Sequence, residues 1–400
     1  MTQATAHHGF PFVRDAGAAH DPDGERLMRD APVVRAQLPD GTPIWVALTL
    51  RACRQVLTDP VFSRRAALEP GAPQVAPGLS LPSMLTSMDG EDHARTRRLI
   101  TRAFTPRLVE GMRPWITDLV NELLDTAERR PGPVDLVEQL TLPLPVKVIC
   151  RLLGVPYEDQ DRFRGWTDAL LSRGGSAEQV REAYGRIQEY LRELIAAKRK
   201  HPGEDLTSAL TRVSDETGQL PEEYLVNNLQ LVLIAGHDTT LNQLSNSLIA
   251  LLAEREQYAL LCARPELVDN AVEELLRHLL LTRAGTLIRV ATKDTELGGT
   301  TIRAGEGVIA LQHVANRDPE GFADPDRLDL ARTDTTGHLA FGAGPHFCVG
   351  AQLARLEMST ALSLVTRRFP AMRLAVPAGS LRWKENSLVR GPETLPVTLT

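Results

Sequence analysis

Residues 341–350 read Phe-Gly-Ala-Gly-Pro-His-Phe-Cys-Val-Gly and set Cys348 among three glycines, directly ahead of an amphipathic run over 351–368. Glycine lets backbone approach a flat ligand closely, and a helix N-terminus just beyond the sulfur supplies amide donors and a positive dipole end that stabilise a thiolate. Those are the needs of an anionic sulfur ligand to a metal. For a cysteine taken alone, a buried, inert thiol beside a turn is the competing reading. Cys53, Cys150 and Cys262 stand among apolar neighbours and take that second reading. Upstream, Ala235-Gly236-His237-Asp238-Thr239-Thr240 puts a carboxylate next to a hydroxyl inside a helical pattern. Such a pair can open the backbone ladder and relay protons, or it can form a polar stripe that bonds back to carbonyls one turn earlier. His237 projects elsewhere on the helical wheel and reads as structural. Glu274 and Arg277, three apart, share a helix face, as do His93 and Arg97, four apart.

The elements that must position these groups are mainly helices. Helical periodicity runs over 49–58, 91–104, 106–129 and 137–154. The longest pattern extends from about Pro221, in a first-turn position, to about Arg255. Its Leu225, Leu229, Val232, Leu233, Leu244, Leu248 and Leu251 recur three or four apart within each half, so this helix is expected to cross the core with Asp238 and Thr239 on it. A helix over 265–281 carries Glu274 and Arg277, and the last helix begins close to Cys348 and ends near Phe369-Pro370. Strands are the minority: a hairpin of PVVRAQL and TPIWVAL around Pro39-Asp40-Gly41, short runs around Gly298-Gly299 and Gly305, and an extended stretch at 393–399. The pattern predicts a mainly α fold with a small β region. No Gly/Ser-rich or Pro-rich linker interrupts it, so 1–400 reads as a single domain.

Composition narrows the function. A chain of 400 residues, 42% hydrophobic and 24% charged, excludes disorder, collagen and a disulfide mini-scaffold. Lys plus Arg number 45 against 51 Asp plus Glu, a formal charge of -6, so no net basic field draws in nucleic acid or anionic lipid. Four scattered cysteines without a C-x-x-C argue against zinc knuckles and secreted disulfide frameworks and fit a reducing cytoplasm. The N-terminus lacks a signal-peptide pattern and no apolar stretch is long enough to span a bilayer. The glycines near Cys348 do not form a dinucleotide loop, because Phe347 occupies the third glycine position, and no Walker A, H-E-x-x-H or G-x-S-x-G sequence occurs.

At the decamer the sequence resembles the cytochrome P-450 superfamily of haem-thiolate monooxygenases, matching Phe-Gly-x-Gly-x-His-x-Cys-x-Gly at every fixed position. The other motifs follow in family order. Ala235–Thr240 resembles the oxygen-activation segment, where the small Ala235 and Gly236 would let dioxygen sit against the helix and Asp238 and Thr239 would move protons. Glu274 and Arg277 match Glu-x-x-Arg, and the segments 315–319 and 322–327 bring Arg327, which the resemblance places in a buried Glu274–Arg277–Arg327 cluster. His93 and Arg97 match His-x-x-x-Arg, Arg289 heads Arg-x-Ala and His346 lies two before the cysteine; these four are nominated for the haem propionates. The resemblance thus implies a triangular helical fold with haem b between the long central helix and the helix after Cys348. Cys348 would be the iron ligand, and Gly350 part of the cofactor loop.

The implied activity is oxidation of a small organic molecule with dioxygen and two electrons, by hydroxylation, epoxidation or oxidative coupling. A proximal thiolate donates electron density to iron and favours O–O cleavage. No flavin or iron–sulfur segment is evident, so ferredoxin and ferredoxin reductase are the expected donors. Arg95, Arg98, Arg102, Arg107 and Arg355 could form a basic docking face, or an ordinary solvated one. The pocket is expected from 62–88, about 170–195, Leu231 to Thr239, 284–288 and Asn386–Val389, and the run at 77–88, without aromatic or charged residues, suits an apolar or mixed ligand. The overall look is that of soluble, monomeric, cytoplasmic actinobacterial members acting on natural products, without membrane or nucleic-acid partners. A peroxide-using or radical-coupling haem-thiolate oxidase is the nearest rival, and a non-catalytic haem sensor is the rival from another class. The Asp238-Thr239 pair favours reductive oxygen activation, and a sensor would not need it.

Overall fold

The structure is a computed structural model that describes residues 8–13, 15, 17, 19–75, 81–156, 159, 166, 177–218, 220–285, 287–385, 387 and 389–400. Its elements are mainly helical, with three small sheets. The chain groups into two compact units, one drawn from Met1–Pro82, Thr86–Ala94 and Glu273–Cys348, the other from Ser83–Leu85, Arg95–Val272 and Val349–Thr400.

The first unit is built on the hairpin. Thr42 N–H donates to the Asp40 carboxylate at 2.9 Å and Gly41 takes φ +86°, which turns Val33–Gln37 back onto Pro43–Ala47 in the register Val33↔Ala47 to Gln37↔Pro43. Gly307–Ala310 adds parallel to Pro43–Ala47, Arg289–Ala291 adds antiparallel to that, and Phe62–Ser63 closes one edge of a six-stranded sheet. Ala36, Ile44, Val46, Ile309 and Leu311 are buried together on one side, and Ala47, Cys53, Val56, Val308 and Ala310 on the other. Alternation along the strands explains how one short sheet feeds two apolar layers.

The second unit surrounds the helix Glu222–Ala253, which starts one residue after Pro221 and ends close to the expected boundary. All seven of its predicted apolar positions are buried. So are Asn227, Asn228, Gln230, Asn242, Gln243, Ser245 and Asn246, which means that the helix is enclosed rather than amphipathic. Buried amides need partners, and Asn228 finds three: its Oδ1 accepts from Leu85 N–H at 2.8 Å, and its Nδ2 donates to the carbonyls of Ser83 at 2.9 Å and Tyr224 at 2.7 Å. Asn227 Nδ2 donates to Ser83 Oγ at 2.6 Å. The segment Ser83–Leu85 is therefore pinned to the long helix.

Several expected helices are interrupted, two of them next to a proline. The run 106–129 divides into Pro106–Gly111 and Arg113–Glu128, with Pro114 at the restart. The run 137–154 begins as a π-helical turn over Val137–Thr141 before Pro143–Leu153, and 265–281 becomes a 3-10 turn over Pro265–Leu267 followed by Val268–His278. The helices Pro22–Asp30, Ala177–Lys200 and Leu206–Thr217 were not expected individually. Two of them carry a readable start signal, since the Asp21 and Asp205 side chains each accept a first-turn N–H at 2.8 Å. Among the described residues no helix is long and apolar enough to cross a membrane.

Replacing Asn228 with Ala strands the Leu85 N–H and the Ser83 carbonyl, whereas the Tyr224 carbonyl keeps its helical bond. Urea unfolding is expected to register a loss of about 2 kcal/mol or more, and an unchanged midpoint would show that the pin carries no stability.

Candidate active site

The decamer folds as a loop ending in a single 3-10 turn, Gly344–His346. Cys348 N–H donates to the Phe341 carbonyl at 2.9 Å and Phe347 N–H to the Gly344 carbonyl at 3.0 Å, so the loop closes on itself and leaves Cys348 exposed. Gly344 has φ +68°, and a Cβ there would lie 2.9 Å from the Leu57 carbonyl oxygen, so only glycine lets the loop rest on the end of the helix Leu50–Thr58. The other cysteines are set apart by burial. Desolvation pushes the Cys150 thiol up to about 12 and raises those of Cys53 and Cys262. Cys53 instead donates to the Ala47 carbonyl at 3.1 Å.

An ion cluster fixes the chain that leads into this loop. Arg277 and Glu274, both 0% exposed, form a two-pronged pair with Nε–Oε2 at 2.7 Å and Nη2–Oε1 at 2.9 Å. Arg277 Nη1 donates to the carbonyls of Asn316 and Pro325, each at 2.9 Å. Asn316 Oδ1 in turn accepts from Leu339 N–H at 2.6 Å, and Leu339 O accepts from Gly342 N–H at 2.8 Å. The line from Glu274 to the glycines of the loop is unbroken.

The expected third member is corrected. The Arg327 guanidinium is 66% exposed and meets Asp329 at 3.6 Å; it offers the cluster only its backbone carbonyl. The second arginine on Glu274 is Arg332, 5% exposed, with Nε at 3.1 Å from Oε1. Arg332 also donates to the carbonyls of Ala323, Asp324 and Arg327, which fold around its guanidinium. This choice is made by the path of the backbone, not by spacing.

Three of the four nominated propionate partners, Arg289, His93 and His346, lie in the first unit, and Arg97 lies in the second. The His93 and His346 rings are 4.2 Å apart between centroids. His346 Nε2 is 3.6 Å from Asp89 Oδ1, while burial holds the His346 imidazole below its usual pKa. Arg289 is buried on its strand, donates to the Phe62 carbonyl at 3.2 Å, and has an Nε without a hydrogen-bond partner among the described residues. Sequence reasoning missed Arg64. It is buried too, donates to the carbonyls of Thr86 and Ile288, and is brought down to about 10 by burial and by repulsion from Arg289. Burial likewise brings Arg289 down to about 10. Burial opposes the charge on Asp89, yet bonds from His346, Ser63 and the backbone of Arg65 and Arg64 outweigh it and hold its carboxyl well below the usual range. Two buried guanidiniums thus face one carboxylate. A surplus of buried positive charge fits a group that brings carboxylates of its own, and an exposed thiol on a glycine loop fits an iron ligand.

In the second unit, Asp238 is buried with Oδ1 3.6 Å from Lys384 Nζ and with Oδ2 lacking a hydrogen-bond partner among the described residues. Lys384 Nζ also reaches Asn242 Oδ1 at 3.3 Å, and Asn242 Nδ2 donates to the Asp238 carbonyl at 2.7 Å. Thr239 Oγ1 donates to the Ala235 carbonyl at 2.6 Å on a face where Ala235 is exposed. His237 is buried with Nδ1 3.3 Å from the Leu233 carbonyl. At Gly236 a Cβ would lie 2.6 Å from Ile149 Cδ1, so this glycine admits the helix Pro143–Leu153. Gly350 caps the helix Ala351–Arg368, its carbonyl accepting from Ala354 N–H at 2.9 Å. Of the expected pocket segments, 76–80, 170–176, Thr286, Asn386 and Leu388 lie outside the described residues.

An accessible cysteine on a glycine-hinged loop, approached by a buried ion cluster, together with a mid-helix acid–alcohol pair in a mainly helical fold, defines a haem-thiolate oxygenase. The family model for cytochrome P450 matches residues 259–392. Over 396 residues the chain is 43% identical to nocardicin C N-oxygenase of Nocardia uniformis subsp. tsuyamanensis, covering 98% of this chain and 99% of that one. Over 372 residues it is 40% identical to the mycinamicin IV hydroxylase/epoxidase of Micromonospora griseorubida, covering 93% of each. A crystal structure of HinD with NMFT and NO superposes with a TM-score of 0.93 at 42% identity, covering 98% of this chain and 99% of that one. The chain belongs to the cytochrome P450 family and is a monooxygenase.

The corrected ion cluster separates two arginines. R332A is expected to cost about 3–5 kcal/mol by uncovering buried charge, whereas R327A should cost less than about 1 kcal/mol; equal losses in chemical denaturation would contradict the assignment.

Proposed function

We propose that residues 1–400 form a single haem-thiolate domain that binds haem b through the Cys348 thiolate, with Arg289, His93, His346 and Arg97 taking the propionates. The buried surplus of cations beside the Cys348 loop carries this reading. When bound, a thiolate-ligated haem supplies dioxygen activation with two electrons. The chain's own part is to supply protons and exclude water. Asp238 Oδ2, buried and without a partner among the described residues, is the proton-bearing atom we assign. Thr239 Oγ1, anchored on the Ala235 carbonyl, keeps its lone pairs for accepting a bond on the exposed helix face. Ala235 keeps that face narrow.

The substrate we infer is a natural product, apolar or mixed in character. Support comes from relatives whose names record N-oxygenation of nocardicin C and hydroxylation or epoxidation of mycinamicin IV. Ferredoxin and ferredoxin reductase are the proposed electron donors, docking on the exposed Arg95, Arg98, Arg102 and Arg107 and the half-buried Arg355. The enzyme is placed in the cytoplasm as a monomer.

Reduced, carbon monoxide-treated protein should show the strongly red-shifted Soret band of thiolate ligation, and C348S should lose it; a band of nitrogen-ligated haem in the wild type would overturn the reading. T239A should cut product formed per electron pair by about tenfold or more while reductant consumption persists and peroxide accumulates. Undiminished coupling would remove Thr239 from the proton path.

A further inference from the structure

We propose that Asp89 is a positioning residue for the haem-thiolate site, joining the strand end at Ser63 to His346 beside Cys348 and setting the reduction potential of the bound haem through its charge. The inference rests on the haem occupancy proposed above.

Asp89 lies one residue before the helix Gly90–Thr101, which carries His93. Its two oxygens gather three segments. Oδ2 accepts from Ser63 Oγ at 2.6 Å and from Arg65 N–H at 2.9 Å; Oδ1 accepts from Arg64 N–H at 3.3 Å and faces His346 Nε2 at 3.6 Å. His346 stands in the 3-10 turn that leads to Cys348, so the carboxylate reaches the cysteine loop from the N-terminal part of the chain. No local spacing announces this arrangement.

Its charge matters because of what surrounds it. Arg64 and Arg289 are buried guanidiniums, and both are influenced by the charge on Asp89. A negative charge held here favours the more positive, ferric form of the iron and opposes its reduction. Each hydrogen bond to the carboxylate damps that field. Removing the charge and removing a damping bond must therefore move the potential in opposite directions, which a purely structural role would not do.

The test is spectroelectrochemical titration of the holoenzymes. D89N should raise the reduction potential, D89E should keep it near wild type, and S63A, which leaves the carboxylate charged but less damped, should lower it. Unmoved potentials in both D89N and S63A, with the thiolate carbon monoxide band intact, would overturn the proposal while leaving haem ligation standing. Loss of that band in the wild type would instead strike the underlying functional reading. If D89N does not retain haem, S63A decides alone: a lowered potential supports the assignment, and an unchanged or raised one refutes it.

Discussion

Two arginines converge on one carboxylate that water never reaches. Glu274, fully buried, takes two bonds from Arg277 and one from Arg332, and it also accepts the Asp329 N–H at 3.0 Å. Burying charge of this kind is costly unless every lone pair and proton is used. Here the surplus donors are used on backbone: the guanidiniums bind carbonyls from Asn316 through Arg327, and those bonds determine the course of a stretch with little regular structure. The cysteine loop begins where that stretch ends. Its approach is anchored on Glu274 and Arg277, many residues earlier in the chain.

The two ends of the chemistry are prepared by different means. The Cys348 loop is held by backbone bonds and by a glycine pressed onto a helix end, which gives a rigid thiol with open access. The Asp238 carboxylate has Lys384 Nζ 3.6 Å from one oxygen, while the other lacks a hydrogen-bond partner among the described residues. In the roles proposed above, rigidity would suit a ligand whose position must not drift, whereas a group that exchanges protons would need a partner it can leave.

What could be read from sequence follows the range of each interaction. The decamer, the Glu-x-x-Arg pair and the long helix are short-range patterns, and their positions fixed them well; the comparisons then placed the chain in its family. Arg332 was missed because Arg327 and Arg332 differ only in how the carbonyls of Ala323 and Asp324 turn. Arg64 and Asp89 were missed because their cluster draws on separate segments that no spacing rule connects. The packing of Gly236 against Ile149 was likewise hidden, since a glycine that admits a neighbouring helix and one that admits a ligand look alike in sequence.

The first unit is discontinuous in sequence, and this bears on its biogenesis. Trp45, on the strand Pro43–Ala47, donates its indole N–H to Glu306, 261 residues away and one residue before the neighbouring strand Gly307–Ala310. Contacts of such separation close late and slowly. On the ribosome, the N-terminal hairpin waits without its partner strand until nearly four-fifths of the chain has emerged. The arginines and histidines gathered around Asp89 cannot come together before His346 is made, so this cluster is completed late in synthesis.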